Sequence, residues 1–254
     1  MKHIISNISK LGVFITLLTG LLACNKEKEL TKAISIQIGG YNSGDAELEM
    51  SIDTLVYRNK KTQPNMPVDF ANVYTYSSGK GQATLRIKDL KSGREVFQQQ
   101  LNLGGSELEL FFPFVLINGK ALEIKPPAAD PTTNKIGFYI HYPASNDAID
   151  IFLQNNAGEN AYIAKNVQPS GWVYSNYLPS EGFTDASKNY FLCFTKAGTT
   201  DSWAFEDSEG KSKYSYSRVG TALPMKEDKG LVRTYFVTPA AADLRVERLF
   251  KLPK

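Results

Sequence analysis

Apolar and polar residues alternate with a period of two along most of the chain. Ile34, Ile36 and Ile38 are separated by Ser35 and Gln37, and Leu48-Glu49-Met50-Ser51-Ile52 repeats the pattern. Thr84-Leu85-Arg86-Ile87-Lys88, Glu95-Val96-Phe97-Gln98 and Leu108-Glu109-Leu110 continue it. Successive side chains of a strand point to opposite faces, so this alternation predicts half-buried strands. Later strands are predicted at Ile136–Tyr142, Ala148–Leu153, Trp172–Tyr174, Tyr190–Phe194, Tyr214–Arg218 and Leu231–Val237. Turn residues punctuate the first half at Gly39-Gly40, Ser43-Gly44-Asp45, Ser78-Gly79, Lys91-Ser92-Gly93-Arg94, Gly104-Gly105 and Asn118-Gly119. Short strands at roughly ten-residue spacing predict an all-β sandwich or barrel. No stretch sustains the 3.6-residue period of a long helix.

Pro126-Pro127-Ala128-Ala129-Asp130-Pro131-Thr132-Thr133 interrupts the pattern. Proline fixes φ and removes a donor, so no central strand passes through, and the segment predicts a semi-rigid linker. The two flanks also resemble each other. Ile34–Ile38, Tyr41, Asp45-Ala46, Leu48 and Met50 are echoed by Ile136–Ile140, Tyr142, Asp147-Ala148, Ile149 and Ile151. A strand, a short Asp-Ala turn and a second strand therefore recur, which predicts a tandem duplication. Tyr235-Phe236-Val237-Thr238-Pro239-Ala240 echoes Tyr139–Ala144 once more, with too little chain after it for a third domain. That echo reads as chance or as an edge strand.

Residues 1–23 have the form of an export leader. Lys2, His3 and Lys10 precede an apolar run, Leu11–Leu22, that is too short to span a bilayer and suits a secretory h-region. Leu21-Leu22-Ala23-Cys24 resembles the bacterial lipobox, with a small residue at the cleavage site and a Cys24 thiol to carry a diacylglyceryl group. Lipidation at Cys24 anchors the chain to a membrane. Residues 24–30 then form a charged tether. Asn25 is not the aspartate that often retains lipoproteins at an inner membrane. The Lys/Glu run after it reads either as a surface-export signal or as a solvated spacer. The expected location is the outer membrane, lipid-anchored, on its surface or periplasmic face. With Cys24 acylated, Cys193 stands alone in the apolar run Tyr190–Phe194 and reads as a small buried hydrophobe.

The segment Ile140-His141-Tyr142-Pro143-Ala144-Ser145-Asn146-Asp147-Ala148-Ile149-Asp150-Ile151-Phe152 resembles the signature of a family of extracytoplasmic Ig-like domains of unknown function. Those domains often occur in tandem in bacterial lipoproteins. The family's first strand runs into His-Ala-Ser-Pro-Asp-Ala and then an apolar-Asp-apolar strand. His141, Ser145, Asp147, Ala148 and Asp150 match in type and order, with Tyr142-Pro143 inserted. Gly171–Gly182 resembles the family's tyrosine strand and Leu-Pro-x-Gly turn, and Tyr76-Ser77-Ser78-Gly79 before Ala83–Ile87 fits the same scheme. Gly39-Gly40-Tyr41 departs from the histidine motif. The resemblance implies two tandem Ig-like antiparallel β-sandwich domains, residues 31–127 and 135–254, joined by linker 128–134. It implies no catalytic residue.

Charge and chemistry narrow the function. The chain has 29 basic and 26 acidic side chains, and removal of Lys2 and Lys10 with the leader leaves 27 against 26. So balanced a chain lacks the basic footprint of a nucleic-acid binder. One histidine, His141, remains after the leader, which with Cys193 cannot make an ordinary zinc site. A Ser-His-Asp set drawn from His141, Asp147 or Asp150 has no Gly-x-Ser-x-Gly elbow to hold its serine. Asp150, between Ile149 and Ile151, reads as solvent-facing. Asp201 with Glu206-Asp207-Ser208-Glu209-Gly210 reads as a calcium loop or as a charged hairpin tip. No cofactor or metal is implied. Aromatic residues are the remaining lead, because rings can stack on sugars or anchor protein interfaces. Trp203, Tyr214 and Tyr216, beside polar or charged turns, rank first as a contact patch; Trp172 follows. The reading is a non-catalytic lipoprotein that binds a glycan or protein. A carboxylate-based hydrolase and a structural envelope-assembly subunit are the alternatives.

Overall fold

The computed structural model describes residues 30–185, 190–216, 223–224 and 228–251. The leader, Cys24 and most of the tether lie outside the described residues. Eight strands precede the proline segment: β1 (Thr31–Asn42), β2 (Leu48–Ile52), β3 (Leu55–Val56), β4 (Met66–Ser77), β5 (Gln82–Asp89), β6 (Glu95–Asn102), β7 (Glu109–Ile117) and β8 (Lys120–Ala121). Eight follow it: β9 (Asn134–Ile140), β10 (Ile149–Gln154), β11 (Asn160–Val167), β12 (Trp172–Tyr177), β13 (Tyr190–Lys196), β14 (Lys213–Tyr216), β15 (Val232–Pro239) and β16 (Leu244–Arg248). A four-residue helix, α1 (Glu209–Ser212), leads into β14. No helix among the described residues is long and apolar enough to cross a membrane.

The strands form four sheets, ordered β4-β1-β7-β8 and β3-β2-β5-β6 in the first half, β12-β9-β15-β16 and β11-β10-β13-β14 in the second. The second pair is the first with every strand number raised by eight. The repeat seen in the sequence at the first two strands thus extends through the whole topology. The chain is all-β, and most pairings are antiparallel. Two are not: β1 runs parallel to β7, and β9 parallel to β15. In each half the first strand lies beside the seventh, after the chain has crossed to the opposite sheet and returned.

Each half has its own core. Ile34, Ile36 and Ile38 of β1 meet Leu48, Met50 and Ile52 of β2, with Leu85, Ile87 and Phe114. Ile136, Phe138 and Ile140 of β9 meet Ile149, Ile151 and Leu153 of β10, with Leu192, Phe194 and Tyr235. These residues were placed inward by their alternation, and each fully buried side chain contributes about 1.5–3 kcal/mol. A third, smaller cluster joins the halves: Tyr41, Val115, Phe236 and Leu249, with Tyr139, Trp172 and, from the stretch after β8, Leu122 and Ile124 packed against them.

Three local expectations are corrected. Gly39-Gly40 is no turn but lies inside β1. A Cβ on Gly40 would stand 1.7 Å from the Phe114 carbonyl oxygen, so the glycine permits a close approach to the backbone of β7. The third echo is an interior strand: β15 sits between β9 and β16, and six consecutive residues, Arg233–Thr238, are buried. Asp150 is not solvent-facing. It is 3% exposed: the Asn166 N–H (2.8 Å), at a bulge in β11, and the Gly198 N–H (3.0 Å), in the turn after β13, both donate to its carboxylate.

Candidate functional site

The ranked aromatics do not share one face. Lys213 pairs with Cys193 and Tyr214 with Leu192, so alternation sends Lys213 outward and Tyr214 towards the core. Trp203 bridges to Thr195 and lies on the outer side, half-buried, with the Lys213 ammonium 5.9 Å from its ring. The same ammonium is 4.5 Å from the Phe191 ring, and Lys165 lies 3.8 Å from the ring of Tyr162 on the same sheet. Lysine stems thus roof part of this outer face. Tyr216 pairs with Tyr190 in the register, and its side chain lies outside the described residues. Trp172 is elsewhere. It stacks on Tyr174 and meets Tyr139 edge-on at the junction of the two halves, and its indole N–H donates to the Glu123 carbonyl, 3.1 Å away, just after β8.

The residues of the histidine signature are also spread out. His141 follows β9, stacks on Phe236 at 6.0 Å, and has its imidazole pKa lowered by burial. Asp150 stands on the outer face of the opposite sheet, held by the two backbone amides, so the two do not form a catalytic pair. Ser145 Oγ accepts from the Asp147 N–H in a local turn. Cys193 is fully buried, and burial pushes its thiol up to about 12, which leaves it protonated. In the acidic segment each of three carboxylates has its own lysine: Glu206 with Lys211 at 2.5 Å, Asp207 with Lys196 at 2.6 Å and Glu209 with Lys213 at 2.9 Å. That pairing makes a charged surface tip rather than a converging set of oxygen ligands.

A different site lies between the halves. A cleft of about 540 Å³ is walled by the outward face of β4, β1 and β7 on one side and by β16 and the residues after it on the other. Register places Asp69 beside Gly39, and Ala71, Gln37 and Phe111 in the next row. Across the gap stand Glu247, Arg248, Phe250 and Lys251. Lys251 reaches over to Glu109, 2.6 Å away, and joins the two walls. Burial raises the pKa of Glu247 to about 7; the nearby Asp69 charge adds to this, and Arg245 and Arg248 oppose it. Sequence reasoning missed this site. Glu247 sits at an outward position of an alternating strand, where a charged residue usually means solvent, and nothing local announces the second wall.

No family model matches the chain, and no curated protein matches it. Among solved structures it is similar to family 41 carbohydrate-binding modules, from streptococcal virulence factors, that recognise alpha-glucan, at 10% identity and a TM-score of 0.26 over 84% of this chain and 95% of that one. It is similar to the shaft pilin SpaA of Lactobacillus rhamnosus GG at 9% identity and a TM-score of 0.19, covering 84% of this chain and 99% of that one. A candidate cell adhesion protein of Bacteroides fragilis overlaps at 8% identity and a TM-score of 0.25, over 86% of this chain and 98% of that one. Overlaps at this level bear on neither ligand nor mechanism, and the fold rests on the strand order given above.

Proposed function

We propose that the chain is a lipid-anchored binding protein of the bacterial cell surface that captures a glycan or protein and performs no catalysis. The carrying observation is the cleft between the two halves, where polar side chains converge beside aromatic rings. Ligand sites are typically concave, partly apolar and furnished with a few convergent polar groups. The separation of His141 from Asp150 weighs against a Ser-His-Asp hydrolase. The anchor rests on the leader and the Leu21-Leu22-Ala23-Cys24 motif, and the outer membrane is the proposed location. Trp203 keeps its place as a second contact, because its half-buried ring borders the outer face of β13 and β14; Tyr214, Tyr216 and Trp172 rank below it. Two experiments test this. Cys24→Ser should move the protein from membrane to soluble fractions, and an unmodified residue 24 in the intact mass of the native protein refutes the anchor. A glycan array together with a pull-down should find a ligand; none in either, with envelope components co-purifying instead, favours the assembly role.

A further inference from the structure

Three planar polar side chains face the junction cleft without a hydrogen bond or ion pair to any described residue: the Gln37 amide and the Asp69 and Glu247 carboxyls. Each offers at least two donors or acceptors in one plane. Arg248 lies in the Tyr235 row of β16, on its core side, and lines the cleft with its backbone. Gln37 and Glu247 are partly buried and Asp69 is exposed at the mouth; polar groups that lack protein partners are satisfied by water or by a ligand. The partly exposed ring of Phe111 lies among them, while Phe250, at the rim, packs edge-on against Tyr235 with the Arg233 guanidinium 4.3 Å from its ring. Phe111 rests against bare backbone, its ring 3.2 Å from where a Cβ on Gly39 would stand. The cleft volume, about 540 Å³, falls inside the range of small-ligand sites, roughly 300–1,000 Å³.

We infer that this cleft is a binding site for a neutral saccharide. Phe111 presents ring surface to the C–H face of a pyranose, and the three planar groups bond its hydroxyls. Charge selects the class. Lys251 and Glu109 neutralise each other, and the remaining carboxyls, Asp69 and the partly protonated Glu247, leave the cleft acidic, which disfavours phosphates, uronates and other anions. The inference rests on the binding role proposed above and adds its place and its chemical class.

The test uses the mature chain and defined probes: maltohexaose, cellohexaose and xylohexaose, with oligogalacturonate and heparin fragments as acidic counterparts. Calorimetry should show binding of a neutral probe. Gln37→Ala and Asp69→Ala should each weaken it about tenfold or more, and Gln98→Ala, exposed on β6, should leave it unchanged. Hydrogen exchange on the unmutated protein covers variants that fold poorly: the bound saccharide should slow exchange in residues 37–40, 67–71 and 247–251. Binding that survives both cleft variants, without protection of those segments, overturns the cleft and leaves the binding role intact. Preference for the acidic probes overturns the ligand class. If no saccharide binds, the inference falls, although capture of a protein in the pull-down would still uphold a binding role.

Discussion

Glu247→Gln isolates one term in the energetics of the junction. The wild-type carboxyl carries a pKa raised from 4.5 to about 7, chiefly by burial between β16 and the outward face of β1 and β4. Below the unfolded value the carboxyl is protonated whether the chain is folded or not, and glutamate and glutamine are then nearly equivalent. Between the two values the folded chain holds the proton more tightly than the unfolded chain, so stability falls as pH rises. Above the folded value the group is ionised in both states and the full penalty persists. One pKa unit corresponds to about 1.4 kcal/mol, so the shift is equivalent to about 3 kcal/mol. Adjustment of Arg245 and Arg248 and admission of water trim this, and about 1–3 kcal/mol is expected. The glutamine variant keeps the shape and loses the charge. Urea unfolding at pH 4.5 should give matching stabilities, whereas at pH 8 the variant should be the more stable by that amount. The transition to follow is the one reported by the junction rings, since two cores need not unfold together. A variant that tracks wild type at both pH values shows that Glu247 is not desolvated at the junction.

Two further outcomes probe the corrected elements. Gly40→Ala should destabilise the first half by about 3 kcal/mol or prevent its folding, because the new Cβ falls 1.7 Å from the backbone oxygen of Phe114 and β7 must give way; a melting temperature within a degree of wild type refutes the close approach. Asp150→Ala should cost the second half about 2–4 kcal/mol, since it strands two amides that now bond a carboxylate, and faster hydrogen exchange at Asn166 and Gly198 should mark the loss.

Much of the fold could be read from alternation alone, since β1, β2, β5, β9, β10, β13 and β15 each carry an apolar stripe whose partner lies on the facing sheet. What escaped did so for identifiable reasons. The two-residue strands β3 and β8 are exposed and carry no stripe. Leu244-Arg245-Val246-Glu247-Arg248 alternates well, but it follows three small residues and is only five long. Gly39-Gly40 illustrates a true ambiguity: paired glycines suit a turn or a close backbone approach, and only the flanking Ile38 and Tyr41 argue for the second. Parallel pairing of β1 with β7 is invisible in one strand, because the same apolar residues suit either direction. Asp150 misled because alternation assigns a face and does not say whether a bulge or turn covers it. The aromatic candidates were picked by neighbouring loop chemistry, which cannot tell the outer side of β14 from its core side. The cleft was illegible altogether, since its walls are separated by well over a hundred residues and meet through tertiary packing.

The repeat itself explains where the cleft comes from. Each half turns the corresponding sheet of its topology towards the other: β4-β1-β7-β8 faces β12-β9-β15-β16. Tyr41 stacks on Phe236 at 5.5 Å, and Phe236 in turn stacks on Tyr139 at 6.2 Å, so ring packing fixes the contact along one part of the two faces. Twisted sheets packed face to face cannot touch along their full width. Where they diverge, β16 lies over Gly39, with the Arg248 carbonyl oxygen 4.0 Å from the vacant Cβ position and the Phe111 ring 3.2 Å from it. The resulting gap is narrow enough to desolvate Glu247 and wide enough to admit a ligand. Its dimensions are tied to the rings beside it and to the stretch after β8, which Trp172 holds through Glu123. A saccharide bound there, as proposed above, would press on the contacts that set the angle between the halves, with Phe111 against Gly39 and Tyr41 against Phe236.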